Sequence, residues 1–127
     1  MAHYLRTDIL IWVQRGNSKA AQFIDGADER LISILTYMEL LQAAKDKRQH
    51  AVIKQYVRDL SFSVLPLTEG VGHRALVYVE EYGLSSGMRA GDAIVAATAT
   101  ENGLALATGN ARHFRPIKDL SLKIFRP

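Results

Sequence analysis

The strongest restriction on the fold is the alternation of short apolar runs with longer segments of helical periodicity. Residues 3–6, 31–35, 62–67, 104–108 and 122–125 are short enough and apolar enough for strands. Between them, apolar residues recur at helical spacing over 9–15, 17–27, 36–47, 52–60, 68–82 and 92–100. Thr7 or Asp8 is expected to cap the first helix, and Gly16, Gly26, Gly83 and Gly103 to end helices. Thr36 and Glu39 have the S/T-x-x-E spacing of a capping box. KDKRQH (45–50) reads as a solvated basic turn, and LSSGMRAG (84–91) as a loop. The segment 92–100 is alanine-rich and apolar on nearly every side, so its helix should be buried. Strands that alternate with helices pair mainly in parallel. The expected fold is therefore α/β: three layers, α/β/α, around a central sheet of about five strands.

A length of 127 residues fits one domain, 1–127, with a sizeable core. No apolar run is long enough for a membrane span, and Arg6 and Asp8 interrupt the only early apolar stretch, so neither an anchor nor a secretory leader is expected. The chain has no cysteine, which excludes disulfides and thiolate metal sites, and a cytoplasmic protein is expected. A formal charge of +3 is compatible with a nucleic-acid partner without pointing to one.

Parallel sheets bind ligands beyond the carboxyl ends of their strands. The polar residues just after strands are Arg6, Thr7 and Asp8, then Thr36 with Glu39, then Thr68 and Glu69, then Thr108 with Asn110. Asp92, the one charge in a buried helix, can point to the same end. Asp8, Glu39 and Asp92 with Asn110 would form an acidic pocket. Gathered carboxylates repel, and a hard divalent cation such as Mg²⁺ is their usual partner. Such an ion activates water for phosphodiester hydrolysis. Each residue also has a structural reading. Glu39 can complete the capping box, Asp8 can cap a helix, Asp92 can favour a helix N-terminus, and Asn110 can serve a turn. The four histidines have no metal-ligand spacing and read as surface or packing residues. GVGHRA (70–75) fits G-x-G-x-x-A, a dinucleotide pattern, but lies outside the first βαβ unit; Gly70 and Gly72 are expected to serve a helix start.

The order of these segments resembles the PIN-domain ribonucleases, most closely the VapC-type toxins of bacterial toxin–antitoxin pairs. YLRTDILIW (4–12) resembles the family's opening strand with its Asp-Thr-Asp/Asn motif. ISILTYMELLQAA (32–44) resembles the second motif and matches its acidic residue to Glu39. GDAIVAATA (91–99) resembles the third and places a metal-binding aspartate at Asp92. LALATGNARHF (104–114) resembles the fourth, with Thr108 and Asn110 at its polar positions. The resemblance runs nearly end to end. It implies Mg²⁺- or Mn²⁺-dependent endonucleolytic cleavage of RNA, with metal at Asp92 and Glu39 and Asn110 assisting. It also implies inhibition by a cognate antitoxin and a homodimer.

Arg6 departs from the pattern, because the family's first metal-binding aspartate belongs at that position. The change removes a carboxylate and adds a cation. Its guanidinium can pair with Glu39 or Asp92 and stand in electrostatically for the metal. The chain is then expected to keep the fold with its chemistry suppressed, or to be a degenerate PIN module that binds RNA or an antitoxin without cutting. Asp8, Thr7 and Thr108 are expected in supporting positions. Arg89, Arg112, His113 and Arg115 are placed to hold an RNA backbone. Lys45, Lys47 and Arg48 read as solvated surface.

Overall fold

Eleven elements follow one another in the computed structural model, which describes residues 1–127. They are β1 (Ala2–Leu5), α1 (Thr7–Gln14), α2 (Ser18–Asp25), β2 (Glu29–Ser33), α3 (Ile34–Ala43), α4 (Lys47–Asp59), β3 (Ser63–Leu65), α5 (Glu69–Ser86), α6 (Ala90–Glu101), β4 (Leu106–Thr108) and β5 (Leu122–Ile124). The five strands form one sheet in the order β3-β2-β1-β4-β5. Every pairing is parallel, including Tyr4 beside Leu31 and Leu106.

Successive strand residues point to opposite faces, and each face has its own core. Tyr4, Leu31 and Leu106 pack with Val71, Ala75 and Tyr78 of α5 and with the alanine-rich α6. Leu5, Ile32 and Ala107 pack with Ile9, Ile24, Leu40 and Ile53 on the helices of the other side. This makes the three-layer α/β/α arrangement expected from the sequence. After β1 the chain builds outward through β2 to β3, then returns to the other flank of β1 as β4. The β1/β4 seam is thus the topological switch point, where the carboxyl ends of the strands open into a crevice.

Local chemistry moves several boundaries. β2 ends at Ser33, because the Ser33 hydroxyl accepts the Thr36 N–H and caps α3. Ile34 and Leu35 therefore open a helix instead of extending a strand. Thr36 lies buried in the first turn, so the expected box between Thr36 and Glu39 does not form. Asp46 accepts the Gln49 N–H and starts α4 at Lys47, inside the segment expected to be a turn. α5 continues through Gly83 to Ser86, and Gly87 ends it with a φ of +73°. The Thr68 side chain caps α5, and Val71 enters the core fully. Gly70 lies against Glu101, where a Cβ would collide with the carboxylate. Glu101 sits nine residues from Asp92 on α6, roughly 14 Å along the helix axis. GVGHRA is therefore a packing feature remote from the crevice.

His3 is buried in β1, stacked on Phe23 with ring centroids 4.0 Å apart. Lys123 Nζ lies 3.3 Å from its Nδ1. An ammonium only donates, so Nδ1 accepts and the ring is neutral. Burial first, then the Lys123 charge, lowers the His3 pKa from its ordinary 6.5. As pH falls below that ordinary value, the unfolded chain binds more protons than the folded one, and stability declines. The loss of Tm between about pH 7.5 and about pH 5.5 is expected to be smaller in a His3→Phe variant than in the unaltered chain.

Candidate functional site

Arg6 follows β1 directly and occupies the N-cap position of α1, with extended backbone and no side-chain cap. Its N–H donates to the Ala107 carbonyl at 3.0 Å, which continues the β1–β4 ladder by one residue. The helix then starts at Thr7 and projects Thr7 and Asp8 from its first turn into the crevice. Asp8 is no helix cap. Its carboxylate crosses the seam and accepts the Gly109 N–H at 2.7 Å and the Thr108 hydroxyl at 3.1 Å. Thr108 in turn receives the Asn110 N–H at 3.1 Å. A Cβ at Gly109 would lie 3.2 Å from both Asp8 Oδ2 and the Phe125 carbonyl, so glycine allows this approach.

The Arg6 side chain reaches across to α6. Nη2 donates to Asp92 Oδ1 at 3.1 Å, and Nη1 lies 3.8 Å from Asp8 Oδ1. The guanidinium carbon sits 5.3 Å from the centre of the buried Phe114 ring, a cation–π distance. About a quarter of the Arg6 side chain (23%) remains accessible. Glu39 is freed by the earlier start of α3. It is exposed and accepts the Thr7 hydroxyl at 2.7 Å. Of the two partners expected for Arg6, the arginine takes Asp92 and leaves Glu39 to Thr7.

These side chains line a cavity of about 490 Å³, open to solvent, with Arg6, Thr7, Asp8, Glu39, Asp92 and Asn110 in its walls. Arg89 and His113 complete the polar lining. Arg112 is exposed and stands outside it, and Thr108 acts from beneath through Asp8. A groove of similar size near α4 gathers fewer ionisable groups. No three acidic or histidine side chains converge as a metal-binding group. Asp92 and Asp8 face a guanidinium, so this arrangement does not fit a divalent ion.

The sequence model of the PIN domain matches residues 4–119. The chain belongs to the PIN domain family. No curated protein sequence matches it. Among solved structures, one chain of a toxin–antitoxin complex from Klebsiella pneumoniae is 26% identical, with a TM-score of 0.78 over 93% of this chain and 94% of that one. A chain of DNA-bound VapBC from Salmonella typhimurium gives 20% identity and a TM-score of 0.82 over 98% of both chains. FitAcB from Neisseria gonorrhoeae gives 22% and 0.74 over 96% of both. The PIN domain thus accounts for the order of the elements and for a crevice at the β1/β4 seam.

Of the residues expected to hold an RNA backbone after the fourth strand, His113 lines the cavity, although its spacing carries no metal-ligand pattern. Its role in the lining comes from the turn beginning at Ala111, which sets the Phe114 ring under Arg6. Asp8 is the residue that ties this PIN domain's crevice together. Asp8→Ala leaves the Gly109 amide and the Thr108 hydroxyl without their acceptor. It is expected to cost about 2 kcal/mol, read as a lower urea midpoint at unchanged m-value.

Proposed function

We propose that this PIN domain is the toxin component of a type II toxin–antitoxin pair. By type it is a Mg²⁺- or Mn²⁺-dependent endoribonuclease, and in this chain Arg6 silences it. The family match and the likeness to the Klebsiella toxin–antitoxin chain support the class. One observation carries the silencing, the 3.1 Å ion pair between Arg6 and Asp92 inside the cavity. A cation on the nearer carboxylates repels a second cation at the same place. Glu39 alone stays free of charged partners, held by a hydroxyl. The unaltered chain then acts as a non-cutting module that retains RNA and antitoxin recognition. Asp92, Glu39 and Asn110 are the residues assigned to the family's chemistry, with Asp8 and Thr7 positioning them. Arg89 and Arg112 are assigned to the RNA backbone, where contacts are electrostatic and sequence-tolerant. The partners are a cognate antitoxin and a second copy of the chain.

Arg6→Asp is the decisive variant. It replaces the cation by a carboxylate beside Asp8, Asp92 and Glu39. It is expected to cleave RNA with Mn²⁺ or Mg²⁺ and not with EDTA, while the unaltered chain cuts under neither condition. Cleavage by the unaltered chain would remove the silencing; failure of both to cut would favour the purely binding module. Thermal unfolding separates metal binding from turnover. Mn²⁺ at a hundredfold over its Kd should stabilise Arg6→Asp by about 2.7 kcal/mol and leave the unaltered Tm in place.

A further inference from the structure

His113 lies in the cavity wall with Arg6, Arg89, Asp92 and Asn110. Its Nδ1 is 2.9 Å from the Ser86 carbonyl oxygen at the end of α5. A carbonyl can only accept, so Nδ1 carries the proton and donates it. In the neutral ring Nε2 is then the bare nitrogen, able only to accept. Nε2 has no hydrogen-bond partner in the chain. No side-chain nitrogen or oxygen is fully buried without a partner, so Nε2 keeps some accessible surface. The ring is held along its Nδ1 edge. Its Nδ1–Cε1 edge lies against Gly87, 3.7 Å from where a Cβ would stand, and Gly87 needs its positive φ to end α5. The next residue, Phe114, is 1% exposed and anchors the turn in the core.

Besides the exposed Asn110, whose side-chain amide can both give and accept, the cavity offers two kinds of group to a nucleic acid. The guanidiniums of Arg6 and Arg89 only donate, which suits phosphate oxygens. His113 Nε2 only accepts, and a phosphodiester has no proton to give it. The donor an RNA backbone does have is the ribose 2′-hydroxyl, the group by which proteins distinguish RNA from DNA. We propose that His113 is a specificity-determining residue of this site, its Nε2 accepting a hydrogen bond from a 2′-hydroxyl, so that the cavity prefers ribose to deoxyribose. This rests on the RNA reading above and adds to it which atom recognises the sugar.

The test uses the unaltered full chain, which is expected to bind without cutting, and fluorescence anisotropy at about pH 8, where imidazoles in general are neutral. The probes are a labelled single-stranded RNA, the DNA of the same sequence and the 2′-O-methyl RNA. Tighter binding of RNA than of either analogue is expected, by about tenfold, the size of one hydrogen bond. His113→Phe keeps a flat ring and removes the acceptor; it should weaken RNA alone and erase the preference. Arg89→Ala should weaken RNA and DNA alike. An equal loss for RNA and DNA in His113→Phe would mean that the ring meets a base or only packs, and would overturn the proposal while leaving the RNA reading standing. No preference in the unaltered chain overturns it equally. Absence of binding to any of the three polymers overturns the RNA reading and this proposal with it. Matching circular-dichroism spectra and Tm for the variants exclude unfolding as the cause.

Discussion

The structure turns on the Asp8 carboxylate at the β1/β4 seam. A doubly wound sheet reverses its strand order there, and nothing in the backbone ladder closes the gap beyond Arg6. Asp8 spans it by taking the Gly109 amide and the Thr108 hydroxyl. Those bonds fix where α1 starts relative to β4, and so fix the positions of Arg6, Thr7 and Asn110 along the crevice. A carboxylate hydrogen-bonded to a backbone amide is a stronger tie than a neutral pair. It is also a charge that wants a counterion, and Arg6 supplies one at 3.8 Å.

This explains how the fold accommodates Arg6. Exchanging a carboxylate for a guanidinium in an acidic crevice changes the charge by two units, in the direction that relieves repulsion. The arginine finds Asp92 as a partner for hydrogen bonding, Asp8 as a second charge and the Phe114 ring at a cation–π distance. Partly buried, with three kinds of contact, the pair is better placed than an exposed surface bridge. An ion drawn from solution would satisfy the same acids reversibly. The tethered cation satisfies them at every metal concentration, and that permanence carries the silencing reading.

Periodicity made most of the architecture legible. Strands with opposite-facing neighbours, such as Tyr4 and Leu5, and an alanine-rich helix buried on most sides sufficed for the layers and the parallel sheet. Charge alone narrowed the partner of Arg6 to Glu39 or Asp92, and the structure selects Asp92. What escaped was decided by single hydrogen bonds. Ser33 competed with Thr36 for the cap of α3 and won, because its hydroxyl meets the Thr36 N–H while Thr36 is drawn into the core. The same one-turn shift released Glu39 to Thr7. Gly83 looked like a stop, yet no left-handed residue is needed there; Gly87 is the position that requires positive φ. The reach of Asp8 spans 101 residues to Gly109, and local spacing cannot encode it.

The carboxyl end of the sheet also sorts its polar groups by what they can give. Arg6, and Arg89 at the α6 N-cap, bring hydrogens; Asp8, Asp92 and Glu39 bring lone pairs; Asn110 brings both. The acids are already engaged with Arg6, Thr7, Thr108 and Gly109 inside the chain. Arg89 makes no ion pair, and neither His113 Nε2 nor the Asn110 side-chain amide makes a hydrogen bond, so these groups are still open to a visitor. Under the function proposed above, a cavity whose acids are occupied, and whose open groups suit phosphate and sugar hydroxyl, would hold a polynucleotide and not hydrolyse it. On the proposed reading, Arg6 alters what the crevice does without removing what it can recognise.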